Sequence, residues 1–208
     1  MCITKEVSLI TFTVCSVACI HLYQRNNLND RFFAYMFGYI GIMQFLEYLM
    51  WTDQECSGLN QTASFLGFFH VVLQPIIMLL LTYYLVTKNI PIIIYLILLA
   101  HILYVIPELY KNLNINDCSK PCPGAKMGLS WKWAYNEYRV WFIFFLALST
   151  PLLLLKNGFN YFNYMLIIWI TSGLVGSTRC KGGLVNIPNG SLWCLMAFLA
   201  PLYKILQY

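Results

Sequence analysis

Five amide or ionisable side chains interrupt otherwise apolar stretches of this sequence. Gln44 and Glu47 lie three residues apart, His70 and Gln74 lie four residues apart in the next apolar stretch, and His101 lies in the one after that. Spacings of three and four keep side chains on one face of a helix. Polar groups inside a membrane are energetically expensive and therefore mark ligand sites, transport pathways or proton relays. We name these five residues the polar cluster and take them as the candidate site.

Three kinds of chemistry fit the polar cluster, and the sequence leaves all three open. The cluster could bind or transport a small molecule or lipid, or it could only form hydrogen bonds that hold helices together. In the third reading Glu47 and a histidine act as acid and base in a lipid-modifying enzyme; non-enzymatic function is the preferred expectation. The H-E-x-x-H signature of metalloenzymes is absent, so no metal or other cofactor is predicted.

The composition places these residues in an integral membrane protein of a single domain, residues 1–208. Hydrophobic residues make up 60% of the 208 positions and charged residues only 10%, far below the usual share in soluble domains. The net charge of +5 is scattered and forms no basic run, so nucleic acid is not an expected partner. Membrane lipids and a small-molecule ligand are the expected partners, and the oligomeric state stays open.

A membrane-spanning helix needs about 20 mostly apolar residues, and the sequence predicts seven such segments. They are Val7–Tyr23, Phe32–Trp51, Ala63–Val86, Ile90–Ile106, Val140–Leu155, Tyr161–Gly176 and Ser191–Leu206. The predicted fold is thus all-α, a polytopic transmembrane helix bundle of seven spans. The count falls to six if the first segment is a cleaved signal peptide, for which Ser16-Val17-Ala18 offers a small-residue site.

Depths estimated from these boundaries bring the polar cluster into one half of the membrane. At 1.5 Å per residue, Glu47 lies about 6 Å below the boundary, and Gln74 lies about 15 Å below it. The remaining three residues fall about 9–11 Å deep. Because burial disfavours an ionised carboxylate, we expect Glu47 to pair with His70 or His101.

Seven spans divide the connections between two sides of the membrane. The N-terminal side carries the tail Met1–Glu6 and the loops Thr52–Thr62, Pro107–Arg139 and Ser177–Gly190. Aromatic residues crowd the longest of these loops, and we read them as an interfacial belt; they are Trp131, Trp133, Tyr135, Tyr138 and Trp141. Lys204 lies near the end of the last span, where we expect it to extend to the interface.

Four loop cysteines and two glycosylation sequons also fall on the N-terminal side. The cysteines are Cys56, Cys118, Cys122 and Cys180, and the sequons begin at Asn60 and Asn189. An even number of loop cysteines beside sequons predicts disulfides in an oxidising compartment. Three pairings are possible, and the sequence does not choose among them.

The loop cysteines and sequons predict the orientation of the chain in the membrane, although the basic residues predict the opposite orientation. The N-terminal side also carries more lysine and arginine, which the positive-inside rule assigns to the cytosol. If that side were cytosolic, the four cysteines would be reduced and could form a zinc site, for which Cys118-x₃-Cys122 is a poor match. We therefore expect a lumenal N-terminus and a cytosolic C-terminus.

Several short sequence motifs are also informative. They are Gln44-Phe45-Leu46-Glu47-Tyr48 with Trp51, then Asn60, Gln74-Pro75 and Gly190-Ser191-Leu192-Trp193-Cys194. In these motifs the chain resembles an uncharacterised family of multi-pass membrane proteins from large, mimivirus-like DNA viruses. The resemblance implies a seven-helix protein of a host endomembrane or virion membrane, and it brings no known activity.

Overall fold

Three long helices form the first part of the fold. The computed structural model describes residues 4–121, 128–133, 138–176 and 199–206. Helix α1 spans Lys5–Gln24, α2 spans Leu28–Thr52 and α3 spans Leu59–Leu85. α1 packs along α2, and α2 packs along α3. Gly41 lets α1 approach α2 closely, because a Cβ atom built there would lie 2.9 Å from the sulfur of Cys15.

Residues that favour turns and caps explain where these helices begin and end. The Thr4 hydroxyl accepts a hydrogen bond from the Val7 N–H at the start of α1. Asn26 adopts a positive φ of 56° between α1 and α2, a conformation that asparagine tolerates. The Asn27 side chain then accepts from the Asn29 N–H and caps α2. A tight connection between two antiparallel helices results.

The fourth membrane-length helix contains an irregular turn. It begins after Pro91 as α4, Ile92–Ala100, passes through a π-helical segment at His101–Val105 and ends as α5, Ile106–Tyr110. A π-helical turn is rare and is frequently found at functional sites. His101 of the polar cluster is its first residue.

The second part of the fold consists of shorter elements. A two-stranded antiparallel ribbon pairs β1, Lys120–Pro121, with β2, Leu129–Ser130. The helices that follow are α6 at Tyr138–Ser149, a 3₁₀ segment at Thr150–Leu154, α7 at Gly158–Gly176 and α8 at Leu199–Leu206. α6 packs against α3 and the π-helical segment, and α8 packs against α1 and α2.

The structure confirms the all-α fold and four membrane-spanning lengths. Within the described residues, the helices Lys5–Gln24, Leu28–Thr52, Leu59–Leu85 and Ile92–Tyr110 are long and apolar enough to cross a membrane. Three of them depart from the predicted bounds by four residues at one end: α2 begins four residues before Phe32, α3 begins four residues before Ala63, and the fourth helix ends four residues after Ile106. Predicted span five corresponds to α6 together with the 3₁₀ segment, and predicted span six lies within α7. Only α8 of the seventh is described, so the count of seven stays a prediction.

The interpretation of the aromatic loop residues as an interfacial belt is wrong for two of them. Trp131 and Trp133 are both buried within the protein, and their rings stack with centroids 5.1 Å apart. The Trp133 ring also meets the Phe68 ring of α3 edge to face. These tryptophans therefore anchor the loop onto the bundle. Tyr135 and the side chain of Tyr138 lie outside the described part of the chain.

Candidate functional site

All five residues of the polar cluster are buried, and they lie at different depths along their helices. With the helix bounds of the structure, Glu47 lies five residues from the end of α2 and His70 lies eleven residues from the start of α3. At 1.5 Å per residue the depths become about 8 Å for Glu47, about 16 Å for His70 and about 22 Å for Gln74. The earlier start of α3 deepens both of its polar residues and separates them from Glu47.

Gln44 joins α2 to α1. Its side-chain oxygen accepts a hydrogen bond of 2.8 Å from the Thr11 hydroxyl, and both residues are buried. The same hydroxyl also lies within hydrogen-bonding distance of the Val7 and Ser8 carbonyls of its own helix. Gln44 therefore holds two helices together, as in the interhelical reading of the polar cluster.

The expected pairing of Glu47 with a histidine is wrong. Glu47 is fully buried, and it takes part in a hydrogen bond or an electrostatic interaction. The His101 ring bonds to the carbonyl of Val72 through Nε2, and its Nδ1 has no hydrogen-bond partner among the described residues. The Nε2 atom of His70 also has no hydrogen-bond partner among the described residues. Neither imidazole is therefore the partner of Glu47, and an acid–base pair between them is not formed.

His70 packs against α2 near the middle of the bundle. Its ring stacks on the Tyr39 ring with centroids 4.3 Å apart. The Tyr39 hydroxyl donates to the backbone carbonyl of His70 at 3.1 Å. Tyr39 thus fixes both the ring and the backbone of His70, while the Nε2 atom lacks a hydrogen-bond partner within the described chain.

Gln74 lies one turn beyond His70 on α3 and is 2% exposed. Neither its side-chain oxygen nor its nitrogen has a hydrogen-bond partner among the residues described. Pro75 follows within the helix, and a proline there lacks the N–H that would bond to the carbonyl four residues earlier. We name His70 and Gln74 the mid-membrane pair, because they flank residue 72, the midpoint of α3.

His101 faces α3 from the fourth helix. Its Nε2 atom lies 2.9 Å from the Val72 carbonyl, and its ring meets the Phe144 ring of α6 at 5.9 Å between centroids. The residue is fully buried, and its Nδ1 atom has no partner in the described structure. His101 thus ties three helices together and keeps one unused ring nitrogen.

A second polar group, on the N-terminal side, was not predicted. We name it the loop-side network, and its members are Asp53, Asn60, Ser64 and Ser119. The Asn60 amide nitrogen donates to the Met50 and Ser119 carbonyls at 2.8 and 2.9 Å. The Asn60 oxygen accepts from the Ser64 hydroxyl and the Ser119 N–H at 3.0 and 2.8 Å. One buried amide therefore joins α2, α3 and the loop after α5.

This geometry corrects the expectation that Asn60 is glycosylated. A glycan would be attached to the amide nitrogen, which is buried and donates both of its hydrogen bonds to carbonyls. The attached sugar would displace the loop that carries Ser119. Asn189, the second sequon, lies outside the described residues.

A disulfide between Cys56 and Cys118 closes the loop-side network. It selects one partner for Cys56 among the three possible pairings, and Cys122 and Cys180 lie outside the described residues. The bond places Ser119 directly beside Asn60 in space, although the two residues are 59 positions apart in sequence. A zinc site that uses Cys56 and Cys118 is incompatible with the bond. Within the described chain, no group of three or more histidine, cysteine or acidic residues could hold a metal ion.

Asp53 caps the start of α3 from the end of α2. Its two side-chain oxygens accept from the backbone N–H groups of Ser57, Gly58 and Asn60 at 2.9, 3.1 and 3.0 Å. The hydrogen bonds from the Ser57 and Asn60 N–H groups lower the pKa of Asp53 to about 2, because they stabilise the charged form. Gly58 has no side chain to cap this helix, so Asp53 supplies the acceptors from five residues away.

The opposite end of the bundle holds a charged cluster of Arg25, Asp30 and Lys204, in which Asp30 and Lys204 are buried and Arg25 is partly exposed. Asp30 contacts Arg25 at 3.2 Å and Lys204 at 3.7 Å, and the Lys204 amine donates to the Tyr161 hydroxyl at 2.9 Å. Lys204 is 5% exposed, so its amine is held by Asp30 and Tyr161 within the protein, and its expected position at the interface stays a prediction. The signal in the sequence was the opposite charge of Asp30, in a connection predicted on the same side. The cluster fixes α8 against α1, α2 and α7.

Comparisons with protein-family models, with curated proteins and with solved structures find no match to this chain. The function therefore has to be argued from the geometry of the sites.

Proposed function

We propose that this protein is a multi-pass membrane protein that binds a small uncharged polar solute at the mid-membrane pair and carries it across the bilayer. One observation carries the proposal. His70 and Gln74 are buried one turn apart on α3, and three of their side-chain polar atoms have no hydrogen-bond partner in the described chain. Buried polar groups in proteins are almost always satisfied, so a group left open favours a ligand that completes it.

The depth of the pair favours a solute over a lipid headgroup. The hydrocarbon core of a bilayer is about 30 Å thick, and the pair lies about 16–22 Å from the N-terminal-side end of α3. Headgroups stay at the surfaces, and acyl chains offer no hydrogen-bonding groups. Transporters often bind their substrates near the midplane and beside interrupted helices, and Pro75 and the π-helical segment are irregularities of this kind.

The chemistry of the pair favours an uncharged solute. An amide and an imidazole are hydrogen-bonding groups that need carry no charge. The ion pair of Asp30 with Arg25 and Lys204 belongs to the other end of the bundle. A charged solute would have to be desolvated at the midplane without an opposite charge from His70 or Gln74, which is energetically costly.

We further propose that the chain crosses the membrane seven times and that the loop-side network faces an oxidising compartment. The Cys56–Cys118 disulfide supports this orientation, because disulfides persist in oxidising environments and are rare in the cytosol. The C-terminus would then be cytosolic, in a host endomembrane or virion membrane if the viral resemblance holds.

A structural component of such a membrane is the second candidate. It is favoured by Gln44, whose oxygen bonds to Thr11 of α1, and by His101, whose ring bonds to the α3 backbone. In that reading the mid-membrane pair has no ligand, and its unpaired atoms only lower stability.

Solute flux through proteoliposomes separates the two candidates. Acetamide, a small uncharged molecule that donates and accepts hydrogen bonds, serves as the probe, with flux followed by stopped-flow light scattering. We expect faster acetamide equilibration with the wild type than in protein-free liposomes, and a loss of at least about tenfold in the Gln74→Leu variant, equivalent to one or two hydrogen bonds. The matched control is Gln44→Leu, with flux expressed per folded molecule, which should keep the wild-type flux.

Two results would contradict the transport proposal. The first is an acetamide flux in wild-type proteoliposomes equal to that of the bare lipid. The second is a Gln74→Leu variant that is folded and conducts as well as the wild type. Either would leave the structural role as the better account.

A further inference from the structure

Charged residues are distributed unequally between the two ends of the bundle. The tail and loops assigned to the N-terminal side hold eight basic and six acidic residues. The opposite end, which we call the basic end, holds five basic residues and a single acidic one, Asp30. Its basic residues are Arg25, Arg31, Lys88, Lys156 and Lys204. The excess of positive charge is therefore larger at the basic end, although its connections are shorter.

Contacts in the structure bring these connections to the same end of the bundle. Lys204 contacts Asp30 near the start of α2 and Tyr161 near the start of α7, so both helices begin at the basic end. α3 follows α2 after a short connection and packs along it, so α3 ends where α2 begins. Lys88 follows α3 and Lys156 precedes α7, which places both lysines at the basic end.

Asp30 neutralises only part of the charge at the basic end. It is buried, and its two carboxylate oxygens contact Arg25 and Lys204. The other three basic residues have no carboxylate partner within the described chain, and they are partly or fully exposed. We name them the basic surface, which consists of Arg31, Lys88 and Lys156.

Arg31 keeps a hydrogen-bond donor that the described chain does not use. Its Nη2 atom donates to the side-chain oxygen of Asn26, whereas its Nε atom has no hydrogen-bond partner among the residues described. Arg31 is also the fourth residue of α2, where the helix dipole disfavours a cation. An anion that accepts a hydrogen bond from Nε would satisfy this atom and offset the unfavourable dipole.

Tyrosine rings accompany two of the three residues of the basic surface. The Lys88 amine lies 4.1 Å from the ring centroid of Tyr83 and 4.6 Å from that of Tyr84. The Arg31 guanidinium lies 5.4 Å from the ring centroid of Tyr23. All three rings are exposed, and exposed tyrosines of membrane proteins are enriched at the level of the lipid headgroups. The rings therefore favour a position of Arg31 and Lys88 beside the headgroups.

We propose that the basic surface binds the headgroups of anionic phospholipids, with Arg31 and Lys88 as the main contacts. The phosphate of such a lipid accepts hydrogen bonds from guanidinium and ammonium groups, and its net negative charge offsets the excess at the basic end. Anionic lipids are concentrated in the cytosolic leaflet, so this inference agrees with a cytosolic C-terminus. It does not depend on transport of a solute.

The N-terminal side offers the matched comparison. Its exposed lysines Lys111 and Lys132 each pair with a carboxylate, from Glu108 and Asp117 respectively. A lysine that is already paired attracts an anionic headgroup less than an unpaired one. Removal of these two lysines changes the net charge as much as removal of two residues from the basic surface.

Electron spin resonance of spin-labelled lipids in phosphatidylcholine proteoliposomes tests the proposal. The share of immobilised label is compared for phosphatidylserine, which is anionic, and phosphatidylcholine, which has no net charge. We expect the wild type to prefer phosphatidylserine about fivefold, the effect of one basic residue near a membrane surface. The preference should fall toward one between about 0.01 M and about 1 M salt, because the Debye length shortens from about 30 Å to about 3 Å.

Two double variants locate the lipid site. Arg31→Gln with Lys88→Gln should remove at least about half of the preference for phosphatidylserine, because the main contacts are lost. Lys111→Gln with Lys132→Gln should keep the wild-type preference. Lys88→Gln alone replaces an exposed residue in a connection, so it should fold and lower the preference even if the loss of Arg31 disturbs the fold.

Three results would overturn the inference. The first is a wild type that binds both labelled lipids equally, and the second is a preference that persists at high salt. The third is a preference lowered equally by both double variants, or only by the one on the N-terminal side. Acetamide flux takes no part in these measurements, so failure of this inference leaves the proposed function untouched, and the reverse also holds.

Discussion

The loop-side network and the mid-membrane pair share helix α3, and they treat buried polar atoms in opposite ways. Asn60 uses its amide in four hydrogen bonds to Met50, Ser64 and Ser119. About four turns further along the helix, Gln74 carries the same kind of amide, equally buried, and makes no hydrogen bond within the described chain. The local chemistry is the same, so the difference lies in the surroundings of each amide.

The difference separates a region that stabilises the fold from a region whose buried polar atoms lack hydrogen-bond partners in the described chain. A satisfied buried amide contributes to stability, whereas an unsatisfied one costs about 1–3 kcal/mol. Apolar side chains at positions 70 and 74 would pack the helices without that cost. The loop-side network therefore resembles a structural clamp, and the mid-membrane pair resembles a site that has been kept polar at the expense of stability.

The largest effect is expected from removal of the disulfide that closes the loop-side network. The Cys56–Cys118 disulfide closes a loop with a sequence separation of 62, and bonds of this kind stabilise by about 2–4 kcal/mol. We expect the double variant Cys56→Ala with Cys118→Ala to unfold at a clearly lower temperature in lipid nanodiscs. Reductant should lower the unfolding temperature of the wild type toward that of the variant and change the variant less than the wild type. If complete reduction of this bond leaves the unfolding temperature of the wild type unchanged, the hydrogen bonds alone hold the loop.

The next effect is expected from replacement of Asn60, whose amide connects the loop-side network. Asn60→Leu removes four hydrogen bonds and leaves the Ser119 N–H and two carbonyls buried without Asn60. We expect a loss of about 2–4 kcal/mol, because stranded buried groups cost more than a bond contributes. Asn116→Leu, at an exposed position of the same loop, is the matched control and should change stability by less than about 0.5 kcal/mol. Equal losses in both variants would contradict the structural role of Asn60.

The sequence predicted the helices of this comparison better than it predicted their contacts. The apolar stretches gave the all-α fold, the first four spans and the burial of Gln44, Glu47, His70, Gln74 and His101. The pairing of Glu47 with a histidine failed because the start of α3 is set by Asp53, a cap five residues before Gly58, which a search for apolar runs does not detect. Four extra residues shift everything on α3 by about 6 Å along its axis.

Contacts between distant segments were beyond the sequence for a different reason. Asn60 matched a glycosylation sequon, but its role depends on Ser119, which the disulfide brings from 59 residues away. Lys204 resembled an interfacial lysine until the fold placed Asp30 beside it. Helical periodicity assigns a residue to a face, whereas its partner depends on how the helices pack.

A smaller effect is expected when Gln44 and Gln74 are replaced, because the two substitutions should change the free energy of unfolding in different directions. Gln44 and Gln74 are both buried helix residues, and the Gln44 oxygen accepts from Thr11. Gln44→Leu should lower the free energy of unfolding by about 1 kcal/mol, because it breaks a bond between helices, while the Thr11 hydroxyl keeps the Val7 carbonyl as an acceptor. Gln74→Leu should leave stability unchanged or raise it by about 1 kcal/mol, because it removes two unsatisfied atoms. Thermal unfolding of both variants in the same nanodiscs measures the difference. A loss in Gln74→Leu as large as that in Gln44→Leu would show that Gln74 also holds the bundle together.

The last prediction concerns Asp53, whose contribution to stability is revealed by acid. The backbone N–H groups of Ser57, Asn60 and Gly58 hold the pKa of Asp53 at about 2 in the folded protein, against about 4 in an unfolded chain. A carboxyl group whose folded pKa is the lower one stabilises the fold fully above the unfolded value, and this contribution is lost as pH falls from about 4 to about 2. Wild-type protein should therefore lose more stability over this range than Asp53→Asn, which has no proton to bind. Asp117→Asn, which removes a carboxylate paired with the exposed Lys132, should keep the wild-type response to acid. Parallel acid curves for the wild type and Asp53→Asn would mean that the start of α3 is held by the disulfide and Asn60, without the charge of Asp53.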